Sequence, residues 1–290
     1  MSCCPLCAVA DARPSWLGSL SYHGRQFPYV ECLGCRSLYA DPMPGSDTLT
    51  LMYGPEYGAS ATDGHDADDP KEPLRVLRWI ARHPAGTFVD YGCGPGRLLA
   101  DVKQRGWNAV GVEFDADVAA ETARNVGVPV ANRLTADAML EPASADVLHL
   151  GDVIEHLTDP ATELTHILAL LKPNGYLIAQ GPLEAHPTLF TSVLKLSRRM
   201  RSSRVSNMPP YHVMLATAPG QRALFDRLGL RTIEFSMHEV SWPAPSQLHA
   251  RDAFRPRNVA MFALRRLSQW CSAMQRDRWG NRYFYVGQRA

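Results

Sequence analysis

The chain has 290 residues and a formal net charge of +1, enough for one full core plus a small module. That balance argues against a dedicated nucleic-acid binder, for which a strongly basic domain is expected. No stretch of about 18 apolar residues occurs and the N-terminus carries no basic-then-apolar signal, so a cytoplasmic protein without a transmembrane segment is expected.

In chain order, the first informative residues are two C-x-x-C pairs, Cys4-Pro5-Leu6-Cys7 and Cys32-Leu33-Gly34-Cys35. Each pair sets two thiolates on a tight turn, and two such turns complete a tetrahedron, as in a structural zinc ribbon. Four thiolates leave no open position, so such a zinc ion is structural; in a reducing compartment it is favoured over two disulfides. Cys3 is a substitute ligand only at the expense of the two-residue spacing. We assign residues 1–45 to this ribbon. Residues 46–72 follow as a short helix (Asp47 to Met52) and a small, acidic segment (Asp63, Asp66, Asp68, Asp69) that reads as a linker or lid. A helix from about Pro73 to His83 leads into the remaining domain, residues 73–290.

An apolar strand, Thr87-Phe88-Val89, ends in Asp90. Gly92, Gly94 and Gly96 follow at alternate positions, and a helical pattern begins at Arg97. Such a turn lets the backbone approach a ligand closely. A dinucleotide would bring an anionic pyrophosphate onto the helix N-terminus, where a carboxylate pointing into the loop repels it. The third glycine also comes one residue early for G-x-G-x-x-G. A cationic ligand tolerates the acid, and S-adenosylmethionine carries a sulfonium and an ammonium. Cys93 and Cys271 have no ligand partner nearby in sequence and are expected as free thiols.

The next strand, Asn108 to Glu113, ends in an acid seventeen residues beyond Gly96, a position suited to a ribose diol. A helix from Asp115 to Asn125, N-capped by the Asp, and a short strand Val128 to Val130 come next. Leu134 to Ala138 then falls where an adenine-contacting loop belongs, with Asp137 able to accept from an amino group or to serve as a turn residue. The fourth strand is Ala145 to Leu150; it runs into Gly151-Asp152-Val153-Ile154-Glu155-His156-Leu157. A helix from Ala161 to Leu171 closes on Lys172-Pro173-Asn174-Gly175, and Tyr176 to Gln180 is the fifth strand.

The series VDYGCGPG, VGVE, ADVLHLGDVIEHL and LLKPNGYLI resembles the class I S-adenosylmethionine-dependent methyltransferases over roughly residues 86–180. The resemblance implies an α/β, Rossmann-like, seven-stranded and mostly parallel sheet with an antiparallel last strand, added to the small zinc ribbon. It implies that Asp90, Gly92 and Gly94 line the methionine portion of the cofactor, that Glu113 holds the ribose, and that Asp137 with Ala138 flanks the adenine. Cys93, Gly96, Phe114, Gly151 and Asp152 complete the implied cofactor set. The ribbon followed by Leu38-Tyr39, Pro42-Met43-Pro44, Tyr53 and Tyr57 resembles a bacterial subgroup often devoted to sugars, glycans or secondary metabolites.

Asp152, Glu155 and His156 are spaced i, i+3, i+4, which sets them on one side of a helical turn. His156 suits a general base. Alternatively the three residues hold a divalent cation such as Mg2+ that acidifies a diol. The string is similar to the E-x-x-E-H string of ubiquinone-pathway O-methyltransferases, whose positions are metal ligands; here Asp shortens the first reach. A purely structural role for this turn stays open.

Residues 181–212 depart from the common core and read as an inserted lid or acceptor-binding segment. Thr188 to Arg204 is an amphipathic basic helix, compatible with an anionic or nucleotide-linked acceptor, with a membrane interface, or with simple solvation. Tyr211 and His212 are the other base candidates. A helix from Ala218 to Leu228, a strand from Leu230 to Phe235, a basic amphipathic helix from Arg257 to Arg278 and a last strand from Tyr283 to Gly287 complete the fold. Phe262, Leu264, Leu267, Trp270 and Met274 lie on one face of that last helix, which most simply joins the sixth and seventh strands. The expected activity is methyl transfer to a small-molecule hydroxyl. The alternatives are an rRNA or tRNA base methyltransferase and a non-catalytic cofactor-binding scaffold.

Overall fold

The computed structural model describes residues 2–52, 71–132, 135–199, 205–207, 209–240, 255–275 and 278–290. The N-terminal part contains β1 (Ala12–Tyr22), β2 (Arg25–Cys32), β3 (Leu38–Ala40) and α1 (Ser46–Met52). The central part runs α2 (Lys71–Ile80), β4 (Thr87–Tyr91), α3 (Arg97–Gln104), β5 (Asn108–Glu113), α4 (Ala116–Thr122), β6 (Val130–Asn132), α5 (Ala136–Met139), β7 (Ala145–Gly151), α6 (Pro160–Leu168) and β8 (Leu171–Pro182). The last part holds α7 (Leu189–Arg199), β9 (Val205–Asn207), β10 (Met214–Leu215), α8 (Ala218–Arg227), β11 (Arg231–His238), α9 (Pro256–Met274) and β12 (Arg282–Gln288). They form two compact units, each assembled from three stretches of chain.

One unit comprises Pro70–Gly181, Phe225–Phe235 and Phe284–Ala290. Its frame is the seven-stranded sheet, ordered β11-β12-β8-β7-β4-β5-β6. The pairs β4·β5, β4·β7, β5·β6 and β7·β8 are parallel. β12 runs the other way along β8: Asn174 N donates to Arg289 O, and Arg289 N donates to Gly175 O. The expected seven-stranded sheet with a reversed last strand is therefore present. Strands this apolar need cover on both faces, and Phe88, Ala109, Val147 and Ile178 are buried with Val76, Ile80, Leu99 and Trp107. Sheet order reverses between β4 and β7, and in open α/β sheets the carboxyl ends of the strands at such a reversal are where ligands bind.

Local chemistry sets the helix ends. Asp115 Oδ1 accepts from Asp117 N (2.8 Å) and Val118 N (3.1 Å), the expected cap of α4. Asp159 Oδ1 accepts from Thr162 N at 3.3 Å with Pro160 in the first turn of α6. α6 ends earlier than expected, and Lys172 to Gly175 belong to β8 instead of a closing turn, because Leu171 already pairs with Ala145.

The other unit comprises Met1–Asp69, Pro182–Leu224 and Ser236–Tyr283. It holds a second, five-stranded sheet, ordered β10-β3-β2-β1-β9, to which sequence analysis assigns no strands. β1 and β2 form a hairpin from Ala12↔Cys32 to Tyr22↔Arg25. Its two-residue turn has His23 at φ 47° and Gly24 at φ 75°, the paired positive values that match strand twist. β9 lies parallel to β1 and β10 antiparallel to β3. The 181–212 segment, expected as a lid or acceptor-binding segment, supplies α7 and β9 to this unit, and β10 follows just beyond it.

α9 joins β11 to β12 and turns a polar face inward. Its buried residues are Arg265, Ser268 and Ser272, while Leu267, Trp270 and Met274 are exposed. Polar partners, not apolar area, decide which face turns inward: Arg265 Nη1 donates to Glu239 Oε1 at 2.9 Å, and its guanidinium lies 3.6 Å above the Phe190 ring.

Candidate functional site

The loop from β4 to α3 is pinned from below. Gly92 N and Cys93 N both donate to Val112 O on β5, at 2.8 and 3.1 Å. Gly92, Gly94 and Gly96 all have positive φ, which L side chains rarely adopt. A Cβ on Gly96 would lie 2.6 Å from Thr122 Cγ2, so α4 packs directly on this turn; a Cβ on Gly94 would meet nothing within 4 Å. The open side of the loop is therefore at Gly94.

Glu113, at the end of β5, clasps the same loop. Its Oε2 accepts from Gly94 N at 2.8 Å, and its Oε1 accepts from Phe114 N at 2.7 Å and Asp115 N at 3.3 Å. Phe114 beside it is half-exposed. Cys93 is buried, and burial, with Asp90 and Glu113 adding to it, pushes its thiol above the usual range.

Asp90 differs from its sequence-based picture. Its side chain does not stand at the mouth of the loop; the residue is 3 % exposed. Its Oδ1 is 2.6 Å from Nδ1 of His149, the residue opposite it on β7. His149 is not legible as a site residue in the sequence, since only the β4·β7 register joins it to Asp90. His149 Nε2 is buried and has no hydrogen-bond partner among the described residues. A Cβ on Gly151 would lie 2.9 Å from His149 Cε1 and 3.6 Å from Gln180 Nε2, so only glycine fits above this buried polar pair.

Beyond β6, Asn132 and Thr135 lock the adenine-loop candidate: Asn132 N donates to Thr135 Oγ1 (3.1 Å) and Thr135 N to Asn132 Oδ1 (3.0 Å). Ala138 in α5 is exposed, and the side chain of Asp137 lies outside the described residues. Asp152 follows β7 at φ 53° and Ile154–His156 is a single 3-10 turn. The longer helical turn expected to align Asp152, Glu155 and His156 is therefore absent; ligand atoms of Glu155 and His156 lie within 4.8 Å of one another, and Asp152 is not gathered with them. Glu155 is buried and His156 half-buried.

The second unit holds the four-cysteine cluster. Cys4 and Cys35 Sγ are 3.7 Å apart and Cys7 and Cys32 Sγ 3.5 Å apart. All four sulfurs lie within 4.8 Å of one another. A tetrahedral ion at about 2.3 Å from each thiolate would space the sulfurs about 3.8 Å apart, so the cluster fits zinc. The two knuckles match: Cys4 O accepts from Ala8 N and Cys32 O from Arg36 N, with Ala8 and Arg36 both left-handed. The hydrogen bond shared by Cys4 and Cys35 lowers the Cys35 thiol and, with burial, raises that of Cys4. Cys3 is exposed and outside the cluster.

The same unit contains the second base candidate. His212 Nδ1 is 2.7 Å from Glu184 Oε2, a carboxylate that sequence analysis did not single out. Tyr29 Oη donates to His212 O at 2.6 Å, and burial, with Glu184 adding to it, raises the Tyr29 phenol. Tyr211 is half-buried beside them.

A family model described as a methyltransferase domain matches residues 70–277. The chain belongs to this methyltransferase-domain family. Its seven-stranded sheet and motif order are those of the class I, S-adenosylmethionine-dependent methyltransferases. Among relatives of the methyltransferase domain, ubiquinone biosynthesis O-methyltransferase of Methylococcus capsulatus is 35% identical over 112 residues, covering 36% of this chain and 47% of the relative. Trans-aconitate 2-methyltransferase of Azoarcus sp. is 36% identical over 124 residues, covering 40% and 47%. The chain thus spans about half the length of the curated relatives it matches. In structure, phosphoethanolamine N-methyltransferase 2 of Haemonchus contortus, complexed with S-adenosyl-L-methionine, aligns with 87% of this chain and 61% of its own (TM-score 0.52, 16% identity), a likeness of fold.

Proposed function

We propose that this chain transfers a methyl group from S-adenosylmethionine to a small-molecule acceptor, most simply a hydroxyl of a sugar, glycan precursor or natural product. The observation that carries the reading is the loop after β4, left-handed at three glycines, open at Gly94 and clasped by Glu113. When bound, the ligand supplies an electrophilic methyl on a cationic sulfur. Asp90, Gly92, Cys93, Gly94 and Gly96 would hold its methionine portion, with Gly151 and Asp152 at the end of β7. The negative charge of Asp90, shared with His149, sits beneath the loop and favours a cation above it. Glu113 and Phe114 would hold the ribose. A carboxylate offers about four acceptor sites; three backbone N–H groups occupy Glu113, leaving one for a ribose hydroxyl. Asp137 and Ala138 would flank the adenine.

A hydroxyl acceptor needs a base. His212 is our first choice: with Nδ1 donating to Glu184, the neutral ring carries its lone pair on Nε2. His156 and Tyr211 are the alternatives. The curated relatives named as O-methyltransferases favour oxygen over nitrogen as the acceptor atom. We also assign Cys4, Cys7, Cys32 and Cys35 to one structural zinc ion.

Titration calorimetry with S-adenosylmethionine and a labelled-methyl screen of nucleotide-linked sugars test the reading. Glu113→Ala should weaken cofactor binding by about 1–3 kcal/mol, the cost of losing a charged hydrogen-bond partner. An unchanged dissociation constant would contradict the ribose assignment, and no binding by the native chain would overturn the whole proposal.

A further inference from the structure

The faces of α9 are the reverse of an ordinary surface helix. At about 100° per residue, Val259, Trp270, Met274 and Leu267 fall within roughly 80° of arc, and Ser268, Ser272 and Arg265 fall on the opposite side. The polar arc is the one turned inward. Arg265 meets Glu239, Ser268 Oγ accepts from Phe190 N at 3.2 Å, and Ser272 Oγ donates to Trp279 O at 2.7 Å. Rotating the helix to bury the apolar arc would break all three contacts and leave a buried carboxylate without its guanidinium. The apolar arc is therefore held outside, with Leu267 50 %, Trp270 61 % and Met274 69 % exposed. From Val259 to Met274 it is about 22 Å long. α7, packed against α9, adds exposed Val193 and Leu196.

Charge says what this face fits. Neither helix contains an Asp or Glu, while the sequence of α7 carries Lys195, Arg198 and Arg199 and α9 exposes Arg257 and Arg266; Arg265 is turned inward and neutralised by Glu239. In a chain of net charge +1 this is a marked local excess of cations. A second copy seated across a two-fold axis would set these cations against their own kind. We infer that the exposed face of α9, with α7 beside it, docks on an anionic lipid surface. Apolar side chains with a tryptophan enter the interface between headgroups and acyl chains, and the cations meet the lipid phosphates. This docking is independent of the methyl-transfer reading, and its test reads no turnover.

The test is co-sedimentation of the full chain with vesicles of phosphatidylcholine alone and of phosphatidylcholine mixed with phosphatidylglycerol. The expected result is binding to the mixed vesicles that falls severalfold without phosphatidylglycerol or in high salt. Leu267→Glu with Trp270→Glu, both at exposed positions, should cut that binding roughly tenfold with unchanged circular dichroism. Absence of vesicle binding, or binding that the double variant leaves intact, overturns the inference. A dimer or a protein complex that the double variant dissociates, without vesicle binding, overturns it too and assigns the face to a protein.

Discussion

Asp90 and His149 show how one contact re-defines a motif residue. The acid before the glycines is legible in sequence as a selector of ligand charge, but its buried partner is not, because the two residues are 59 positions apart. His149→Leu keeps the volume apolar and strands the carboxylate. It should destabilise the chain by about 1.5–3 kcal/mol, the value of a hydrogen bond to a charged group. Urea unfolding of His149→Leu, Asp90→Asn and the double variant measures this; additive effects would show that the pair is not coupled. His212 and Glu184 make a second such pair. If Glu184 orients the ring, His212→Ala should lower kcat by roughly a hundredfold or more, the range of general-base catalysis. Glu184→Gln should lower kcat less and shift the acidic limb of its pH profile. Native kcat in His212→Ala would return the base assignment to His156 or Tyr211.

Among the elements, α8 depends on a single missing methyl group. A Cβ on Gly220 would lie 2.3 Å from Ser37 Oγ and 3.1 Å from Cys35 Sγ. Ser37 cannot yield easily, since Thr217 N donates to its Oγ at 3.0 Å and Thr217 Oγ1 donates to Cys35 O at 2.6 Å. Gly→Ala inside a helix ordinarily gains up to about 1 kcal/mol. Here overpacking should win, so that Gly220→Ala costs about 1–3 kcal/mol; a raised denaturation midpoint would show that the knuckle gives way. The strands of the seven-stranded sheet are legible because β4, β5 and β7 are mostly apolar runs closed by acids or glycine. The β1–β2 hairpin is not: its turn residues His23 and Gly24 are an uncommon pair, and Gly18, at φ 79° within β1, falls where the pairing register shifts between Pro14 and Ser19.

For the whole molecule, the cysteine cluster ties the start of the chain to β2 and, through Thr217 and Gly220, to α8. Removing zinc with a chelator should therefore lower the thermal transition by roughly 10 °C, as expected for several kcal/mol lost in a domain of this size. Metal analysis should return one equivalent, and an unchanged melting curve after its removal would deny the ion a structural part. The sequence by itself determined what is local: the ligand-loop glycines, the acids that end β4 and β5, the helix caps and the two thiol knuckles, because each is marked by a pattern only a few residues long. Only the tertiary structure decided what depends on long-range pairing. It set His149 beneath Asp90 and Glu184 against His212, and drew β9 and β10 into a second sheet. It also turned the polar side of α9 inward, where rotating the helix would leave the buried Glu239 carboxylate without Arg265.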